Sequence, residues 1–318
     1  MKIGFIGLGN VGAKLAGSLV RNGLDVTVRD LSADRQAQLQ ALGASIGASP
    51  VEMMQNCEAV ITCLPSPATS AAVMEADNGL LAAAAPGKVW MEMSTTDEKE
   101  VRRLGEKFIA RGGEAADCPV SGGCHRAATG NISILAGCER ATFDRILPLL
   151  TAMGRRILHS GALGSASILK VLTNYLATAN LVTCCEALTV ARAVGIDLRT
   201  AYEAIRISSG TSFVHETESQ VILNGSRDIS FTMDLVLKDI GLFQGVADRA
   251  DVPLEINPVL IEIFRDGIQR YGSRELSPNI VRRLEDATGL DIRAPGFPPE
   301  ILDDEPEVPG REVVPDRG

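Results

Sequence analysis

The chain has 318 residues and a formal net charge of −9, with 40 acidic against 31 basic side chains. One hydrophobic core rarely serves more than about 250 to 300 residues, so this length predicts two domains. The hydrophobic share of 45%, with charges of both signs interspersed, is typical of a folded globular protein and excludes a largely disordered chain. The acidic balance, without any cluster of Lys or Arg, argues against nucleic-acid binding.

Cysteine and histidine usage argues against a disulfide framework and against a metal site. The seven cysteines are odd in number and show no C-x-x-C spacing, and the three histidines are isolated from one another. The apolar opening 3–6 is too short for a signal sequence, and no uninterrupted apolar run reaches about 18 residues. The sequence therefore predicts a cytoplasmic protein without a membrane partner.

Short β-rich runs alternate with helical stretches through the first half of the chain. This pattern predicts a Rossmann-type, doubly wound α/β sheet with helices on both faces. Ser49-Pro50-Val51-Glu52 has the form of a capping box, so a helix should begin there. The predicted strands are Lys2 to Gly7, Asp25 to Asp30, Ala59 to Leu64, Lys88 to Glu92, Ala115 to Cys118, Ile132 to Ala136 and Arg156 to His159.

Strand signals stop after about Gly164, and segments with helical periodicity follow. We predict three parts: a Rossmann domain at 1–163, an all-helical substrate and dimerisation domain at 164–292, and a tail at 293–318. A long interdomain helix should join the first two. The predicted helices are Ser165 to Ala193, Thr200 to Ser208, Met233 to Ala250, Pro258 to Tyr271 and Ile280 to Thr288. The tail is rich in proline and acidic residues, which predicts a mobile or partner-wrapping extension.

A glycine-rich segment, Gly7-Leu8-Gly9-Asn10-Val11-Gly12, follows the first apolar strand and opens an amphipathic stretch. In this G-x-G-x-x-G pattern, Gly7 permits the tight turn, Gly9 lets backbone approach a pyrophosphate, and Gly12 lets the helix pack on the strand. The helix start supplies oriented N–H groups and partial positive charge to the phosphates. The pattern predicts a dinucleotide site, and a glycine turn without a ligand is the alternative.

An acidic residue, Asp30, ends the second predicted strand, close to the offset expected for the acid that bonds the ribose hydroxyls. A carboxylate there would also repel a 2′-phosphate. The neighbouring Arg29 could instead accept that phosphate, but adjacent strand residues point to opposite faces. We therefore predict NAD rather than NADP as the cofactor.

Two loops follow later strands, Cys63-Leu64-Pro65 and Met93-Ser94-Thr95-Thr96. With the glycine segment, they make residues 2–292 resemble the β-hydroxyacid dehydrogenase family, which includes 3-hydroxyisobutyrate dehydrogenases and tartronate semialdehyde reductases. The resemblance implies that Leu64, Pro65 and Thr95 line the nicotinamide side. The alternative for each loop alone is an ordinary exit from a strand.

The segment Asp117-Cys118-Pro119-Val120-Ser121-Gly122-Gly123 is similar to the family's substrate-binding signature. Its two glycines let backbone N–H groups converge on a carboxylate, with the Ser121 hydroxyl as a further donor. The chain then departs from the family, because Cys124-His125-Arg126 stands where smaller residues are usual. Arg126 could clamp a second anionic group of the substrate. A plain glycine turn and a solvated arginine are the alternatives.

Gly161-Ala162-Leu163-Gly164, followed by Lys170 and Asn174, resembles the start of the family's catalytic helix. Lys170 and Asn174 are four residues apart, so they share one helix face about 6 Å apart along the axis. The resemblance implies that Lys170 is the general acid and base and that Asn174 orients the substrate oxygen. Desolvation beside a cofactor would lower the pKa of this lysine toward neutrality.

Two features of the second half complete the resemblance. The segment from Phe231 to Lys238-Asp239 matches an F-x(6)-K-D pattern, which implies that Lys238 reaches the cofactor or substrate and that Asp239 fixes it. Phe213 stands where the family places an aromatic residue of the substrate pocket. An ordinary helix ion pair and a core aromatic are the alternatives.

The sequence thus predicts an NAD-dependent enzyme that oxidises a small 3-hydroxy acid to a semialdehyde or ketone, or catalyses the reverse reduction. Imine reduction is a rival, although relatives with that activity usually replace the lysine. A catalytically idle nucleotide-binding or scaffolding protein is the alternative from another class. The resemblance also implies a homodimer or homotetramer.

Overall fold

The apolar runs of the first half form one sheet in the computed structural model, which describes residues 1–315. The strands in this part of the chain are β1 (Lys2–Ile6), β2 (Asp25–Arg29), β3 (Ser45–Ile46), β4 (Ala59–Thr62), β5 (Val89–Glu92), β6 (Glu114–Asp117), β7 (Val120–Ser121), β8 (Ser133–Gly137), β9 (Arg156–Gly161) and β10 (Arg311–Glu312). Each of the seven predicted strands is present. The two-residue strands β3, β7 and β10 were not predicted, because such short segments carry no periodicity.

The sheet has the order β10-β9-β8-β6-β5-β4-β1-β2-β3, and β7 pairs with β8. The pairs β6–β8 and β7–β8 are antiparallel, and the other pairs are parallel. The run from β3 to β6 has the doubly wound order, in which ligands bind outside the carboxyl ends of the strands where the order reverses. Here that point lies between β1 and β4. The predicted Rossmann-type sheet is confirmed.

The strands are separated by the helices α1 (Gly12–Arg21), α2 (Ala33–Ala41), α3 (Pro50–Asn56), α4 (Pro67–Glu75), α5 (Glu98–Ile109), α6 (Gly123–Ala128) and α7 (Arg140–Met153). A 3₁₀ turn at Leu80–Ala83 follows α4. The helix predicted to begin at this segment is confirmed, because the Ser49 hydroxyl accepts the Glu52 N–H at 3.3 Å and Pro50 is the first residue of α3.

The second half is helical, as predicted. Its helices are α8 (Ser165–Ala193), α9 (Leu198–Arg206), α10 (Phe213–Asn224), α11 (Met233–Arg249), α12 (Ile256–Tyr271) and α13 (Arg282–Thr288), with a 3₁₀ turn at Ser277–Val281. Helix α10 was not predicted, because the three consecutive apolar residues at its end, 221–223, obscure a helical period. Its start is capped by Ser212, which accepts the His215 N–H at 3.0 Å, and its end by the left-handed Gly225.

Helix α8 is long and apolar enough, by length and composition alone, to cross a membrane. A core helix of a soluble protein passes the same test, so one such helix is weak evidence for a membrane span. The lysine at position 170 lies in its second turn and is buried.

The chain divides into two compact units whose bounds differ from the predicted domains. Residues 1–170 and the segment from Asp303 onward form unit 1, and Val171–Leu302 forms unit 2. The boundary therefore falls inside α8, whereas the sequence placed it before that helix. Hydrophobic periodicity indicates where a helix begins, but it does not indicate with which compact unit each turn of the helix packs.

The tail also differs from the prediction. Instead of standing apart as a mobile extension, its last part joins the sheet, where Arg311 and Glu312 pair in parallel with Arg156 and Ile157 of β9. Its first part belongs to unit 2, in which Phe297 accepts the Asn224 side-chain amide at 2.8 Å and contacts a tyrosine ring. Composition indicated disorder because the tail holds few large apolar residues. Backbone pairing and charged contacts, which composition does not reveal, order it instead.

Candidate active site

The glycine segment between β1 and α1 has no room for side chains at two of its three glycines. Gly7 has a φ of +97°, and a Cβ built on it would overlap the Cys63 carbonyl oxygen. A Cβ on Gly12 would overlap the Gly7 carbonyl oxygen. A Cβ on Gly9, by contrast, meets nothing within 4 Å. The first and third glycines are therefore required by the chain's own packing, and Gly9 leaves open space in which a ligand could approach the backbone.

The start of α1 and the end of β2 fit a dinucleotide. No side chain of the described residues caps the start of α1, so its first N–H groups suit phosphate oxygens. Asp30 accepts the Leu8 N–H at 2.6 Å through Oδ2 and the Ser32 N–H at 2.8 Å through Oδ1. The Arg29 guanidinium instead donates to the Gly47 and Ala48 carbonyl oxygens. The residues present fit NAD, with Asp30 held beside the glycine segment and Arg29 engaged elsewhere.

A buried carboxylate ties together the two predicted nicotinamide loops. The Leu64 N–H donates to the Ser94 hydroxyl oxygen at 2.7 Å, and both the N–H (2.9 Å) and the hydroxyl of Ser94 donate to Glu92 Oε1. Glu92 is 1% exposed, and burial raises the pKa of its carboxyl although the bonds from Ser94 act against that rise. Pro65 and Thr95 lie in the two loops that this contact joins. Sequence reasoning missed Glu92, which looked like the last residue of an apolar strand.

The predicted substrate signature forms a turn between β7 and α6. Ser121 pairs with Ser133 of β8, which fixes the residue before the turn. Gly122 has a φ of +128° and Gly123 a φ of +86°, and such values favour glycine at both positions. The backbone therefore turns sharply at the two residues predicted to present N–H groups to a carboxylate.

The first residue of that signature, Asp117, caps the helix that carries the predicted catalytic lysine. Its buried carboxylate accepts the Gly164 N–H at 2.7 Å and the Ser167 N–H at 2.6 Å, at the start of α8. Burial raises the pKa of Asp117, while these N–H donors act to lower it. A carboxylate at this end also complements the helix dipole. The strand leading to the substrate signature thus holds α8, in which Lys170 is only 7% exposed.

In unit 2, one buried carboxylate contacts two of the predicted site residues. Asp239 is 2% exposed; its Oδ2 accepts the Asn174 amide at 2.5 Å and its Oδ1 lies 2.6 Å from Lys238 Nζ. The ion pair of Lys238 with Asp239 matches the prediction, and the bond from Asn174 adds a contact that the sequence did not suggest. Phe213 begins α10 and is 46% exposed.

Arg126 lies on α6 and has an acidic partner within the chain. Its Nη2 is 3.5 Å from Glu305 Oε1 of the C-terminal segment. The sequence offered a substrate anion or solvent as its partner, because Glu305 is 179 positions further along the chain.

Two family models match the chain over nearly all of its first 284 residues. Residues 2–161 match the NAD-binding domain of 6-phosphogluconate dehydrogenase, and residues 164–284 match a domain described as the NAD-binding region of NADP-dependent 3-hydroxyisobutyrate dehydrogenase. The chain belongs to the β-hydroxyacid dehydrogenase family. The predicted family and NAD-binding fold are confirmed, and β-hydroxyacid dehydrogenases are NAD(P)-dependent oxidoreductases acting on CH–OH groups.

Named β-hydroxyacid dehydrogenases match along almost their whole length. The chain is 30% identical over 293 residues to 2-(hydroxymethyl)glutarate dehydrogenase of Eubacterium barkeri, covering 92% of this chain and 97% of that one. It is 32% identical over 295 residues to the NAD-dependent L-serine dehydrogenase of Pseudomonas aeruginosa, covering 90% and 98%. The crystal structure of a 3-hydroxyisobutyrate dehydrogenase from Salmonella typhimurium superimposes with a TM-score of 0.81 at 26% identity, covering 89% of this chain and 99% of that one.

Within this family framework the predicted site residues fall into two described groups. Unit 1 holds the glycine segment, Asp30, the two nicotinamide loops, the substrate signature, Arg126 and Lys170; unit 2 holds Asn174, Phe213 and Lys238. Their roles stay predictions. Three carboxylates to which the sequence analysis assigned no role contact these residues or the segments that carry them: Glu92, Asp117 and Glu305.

Proposed function

We propose that the chain catalyses the NAD-dependent oxidation of a small 3-hydroxy acid to the semialdehyde or ketone, or the reverse reduction, with Lys170 as general acid and base. The observation that carries the proposal is the Asp117 cap, which joins the substrate signature to the helix of a buried lysine. The substrates named for the relatives support it. Each of these substrates carries a hydroxyl on the carbon β to a carboxylate. They are 2-(hydroxymethyl)glutarate, L-serine and 3-hydroxyisobutyrate.

In the proposed reaction, residues of this chain transfer the proton and hold the substrate. The bound nicotinamide supplies the hydride acceptor or donor. In oxidation the neutral Lys170 amine takes the hydroxyl proton, and in reduction its ammonium returns that proton to the oxygen. Asp239 uses one N–H of the Asn174 amide, which leaves the other N–H to orient the substrate oxygen. Ser121 and the two following glycines would bind the carboxylate.

The function is tested with a panel of substrates while NADH absorbance is recorded. The panel contains 3-hydroxy acids, 2-hydroxymethyl acids, sulfonate analogues and semialdehydes. We expect turnover of at least one 3-hydroxy acid and of its semialdehyde in the reverse direction. Tight NADH binding without turnover of any member would favour the idle nucleotide-binding alternative. Cyclic imines are measured beside the panel, and faster reduction of these imines than of the semialdehydes would favour imine reductase activity.

Asp30 provides a prediction about cofactor choice. We expect Asp30→Asn to lower the ratio of kcat/KM for NAD over NADP at least tenfold, because the charge that repels a 2′-phosphate is removed. Asp34→Asn is the matched control, since it removes an exposed carboxylate four residues later, on α2. Fluorescence titration with NADH and NADPH gives the same comparison without a substrate. An unchanged ratio in Asp30→Asn would show that Asp30 does not select the cofactor.

A further inference from the structure

The C-terminal segment from Asp303 to Glu307 makes contacts that the family models do not cover. The matched ranges end at residue 284. The Salmonella enzyme is covered over 99% of its length but covers only 89% of this chain, so about a tenth of the chain has no counterpart there. The segment lies beyond the residues that these models match, so the models assign it no role.

Asp303 completes the hydrogen bonding of a buried amide next to α6. Asn131 is 4% exposed, and its Nδ2 donates to Asp303 Oδ2 at 2.7 Å and to the Glu305 carbonyl oxygen at 2.8 Å. The Thr129 hydroxyl also contacts Asp303 Oδ2. Burial acts to raise the pKa of Asp303, but the bonds from Thr129 and Asn131 outweigh it and hold that pKa below its usual range. The Asp303 carboxylate is therefore ionised at neutral pH.

Glu305 lies between two guanidinium groups. Its Oε1 is 3.5 Å from Arg126 Nη2, and its Oε2 is 3.3 Å from Arg155 Nη1. Arg155 in turn donates to Asn131 Oδ1 at 3.2 Å. The segment thus supplies one carboxylate to the end of α6 and a second to the arginine on that helix.

Helix α6 connects these contacts to the predicted substrate turn. It has six residues, begins at Gly123 of the signature and ends before Thr129, its C-cap. Thr129 directly follows Ala128, the last residue of α6, so Asp303 contacts the chain at the end of this helix. The six residues make less than two helical turns, so the contact at the end of α6 lies close to the glycine turn at its start.

We propose that Asp303 and Glu305 are positioning residues of the substrate site, an inference that rests on the proposed function. Asp303 holds α6 and the glycine turn at its start in one place. Glu305 holds the Arg126 guanidinium within the chain, which favours substrates with one carboxylate over those with two.

The selectivity is tested with the full chain by calorimetric titration of the NADH complex with 3-hydroxypropanoate and 2-(hydroxymethyl)succinate. We expect Glu305→Gln to shift the ratio of their dissociation constants at least fivefold toward the dicarboxylate, and Glu305→Gln combined with Arg126→Ala to restore the original ratio. Glu312→Gln is the matched control, because Glu312 lies beyond that segment, in β10, and pairs with Arg140 instead. Equal ratios in wild type, Glu305→Gln and Glu312→Gln would overturn the selectivity role.

The positioning role is tested by hydrogen exchange of backbone amides 122–131, which needs no substrate. Asp303→Ala should raise exchange there at least fivefold, and Asp303→Asn, whose side chain still offers one acceptor oxygen, should restore part of the protection. Glu312→Gln should leave these amides unchanged. Unaltered exchange in Asp303→Ala would overturn this role. If the wild type turns over no member of the substrate panel, the proposed function fails, and the exchange measurement alone decides whether Asp303 holds α6.

Discussion

Replacing Lys170 by methionine should lower kcat roughly 10²- to 10⁴-fold while NADH still binds, since positioned proton transfer contributes about that much. Methionine keeps the length of a side chain that is 7% exposed, so folding should be retained. Lys170→Arg should be similarly slow, because a guanidinium cannot give up a proton near neutral pH. Steady-state rates with the best substrate of the panel measure the loss.

The matched control for this loss is Lys99→Met, which removes an exposed lysine from α5. It should turn over at the wild-type rate. NADH fluorescence and thermal unfolding show whether each variant is folded and loaded. Turnover of Lys170→Met within about threefold of the wild type would remove Lys170 from the mechanism, whatever the outcome for Asn174.

Substituting alanine at Gly9 and at Gly12 should give opposite defects. Gly9→Ala should unfold at the wild-type temperature but bind NADH at least tenfold more weakly, because its Cβ meets open space in the chain and would lie where a pyrophosphate approaches. Gly12→Ala should lose roughly 1–3 kcal/mol of folding free energy, since its Cβ overlaps the Gly7 carbonyl oxygen. Thermal unfolding and NADH titration separate the two effects.

Gly241→Ala is the control for both substitutions. A Cβ at this exposed position of α11 also meets nothing within 4 Å, so neither stability nor NADH affinity should fall. Wild-type NADH affinity in Gly9→Ala would show that the open space at Gly9 does not face the cofactor. A fully stable Gly12→Ala would show that the segment can shift to admit a methyl group.

The parts of the fold and site that sequence predicted depend on local patterns. The glycine segment, the helix cap at Ser49 and the 29-residue helix α8 each follow a short-range rule of spacing or residue type. Strands of four or more residues were found for the same reason. The predicted site residues came from such motifs and from the order in which they occur.

The parts that sequence did not predict depend on contacts between distant residues. Asp117 bonds to N–H groups 47 and 50 residues away, and Asn131 bonds to Asp303 across 172 residues. Glu92 is close in sequence to its partner Ser94, but a carboxylate at the end of an apolar strand is expected to face solvent. Only the structure shows that Glu92 is buried. Local rules report nothing about such partners, so the carboxylates that hold the site together emerged only from the structure.

The placement of β10 has a consequence for how the protein is made. Unit 1 consists of residues 1–170 and the segment from Asp303 onward, so the whole of unit 2 is synthesised between its two parts. Until Arg311 and Glu312 pair with it, β9 is an open edge of the sheet. Unpaired edges expose N–H and C=O groups to other chains. We therefore expect a chain that has not yet formed β10 to be prone to wrong pairing at β9.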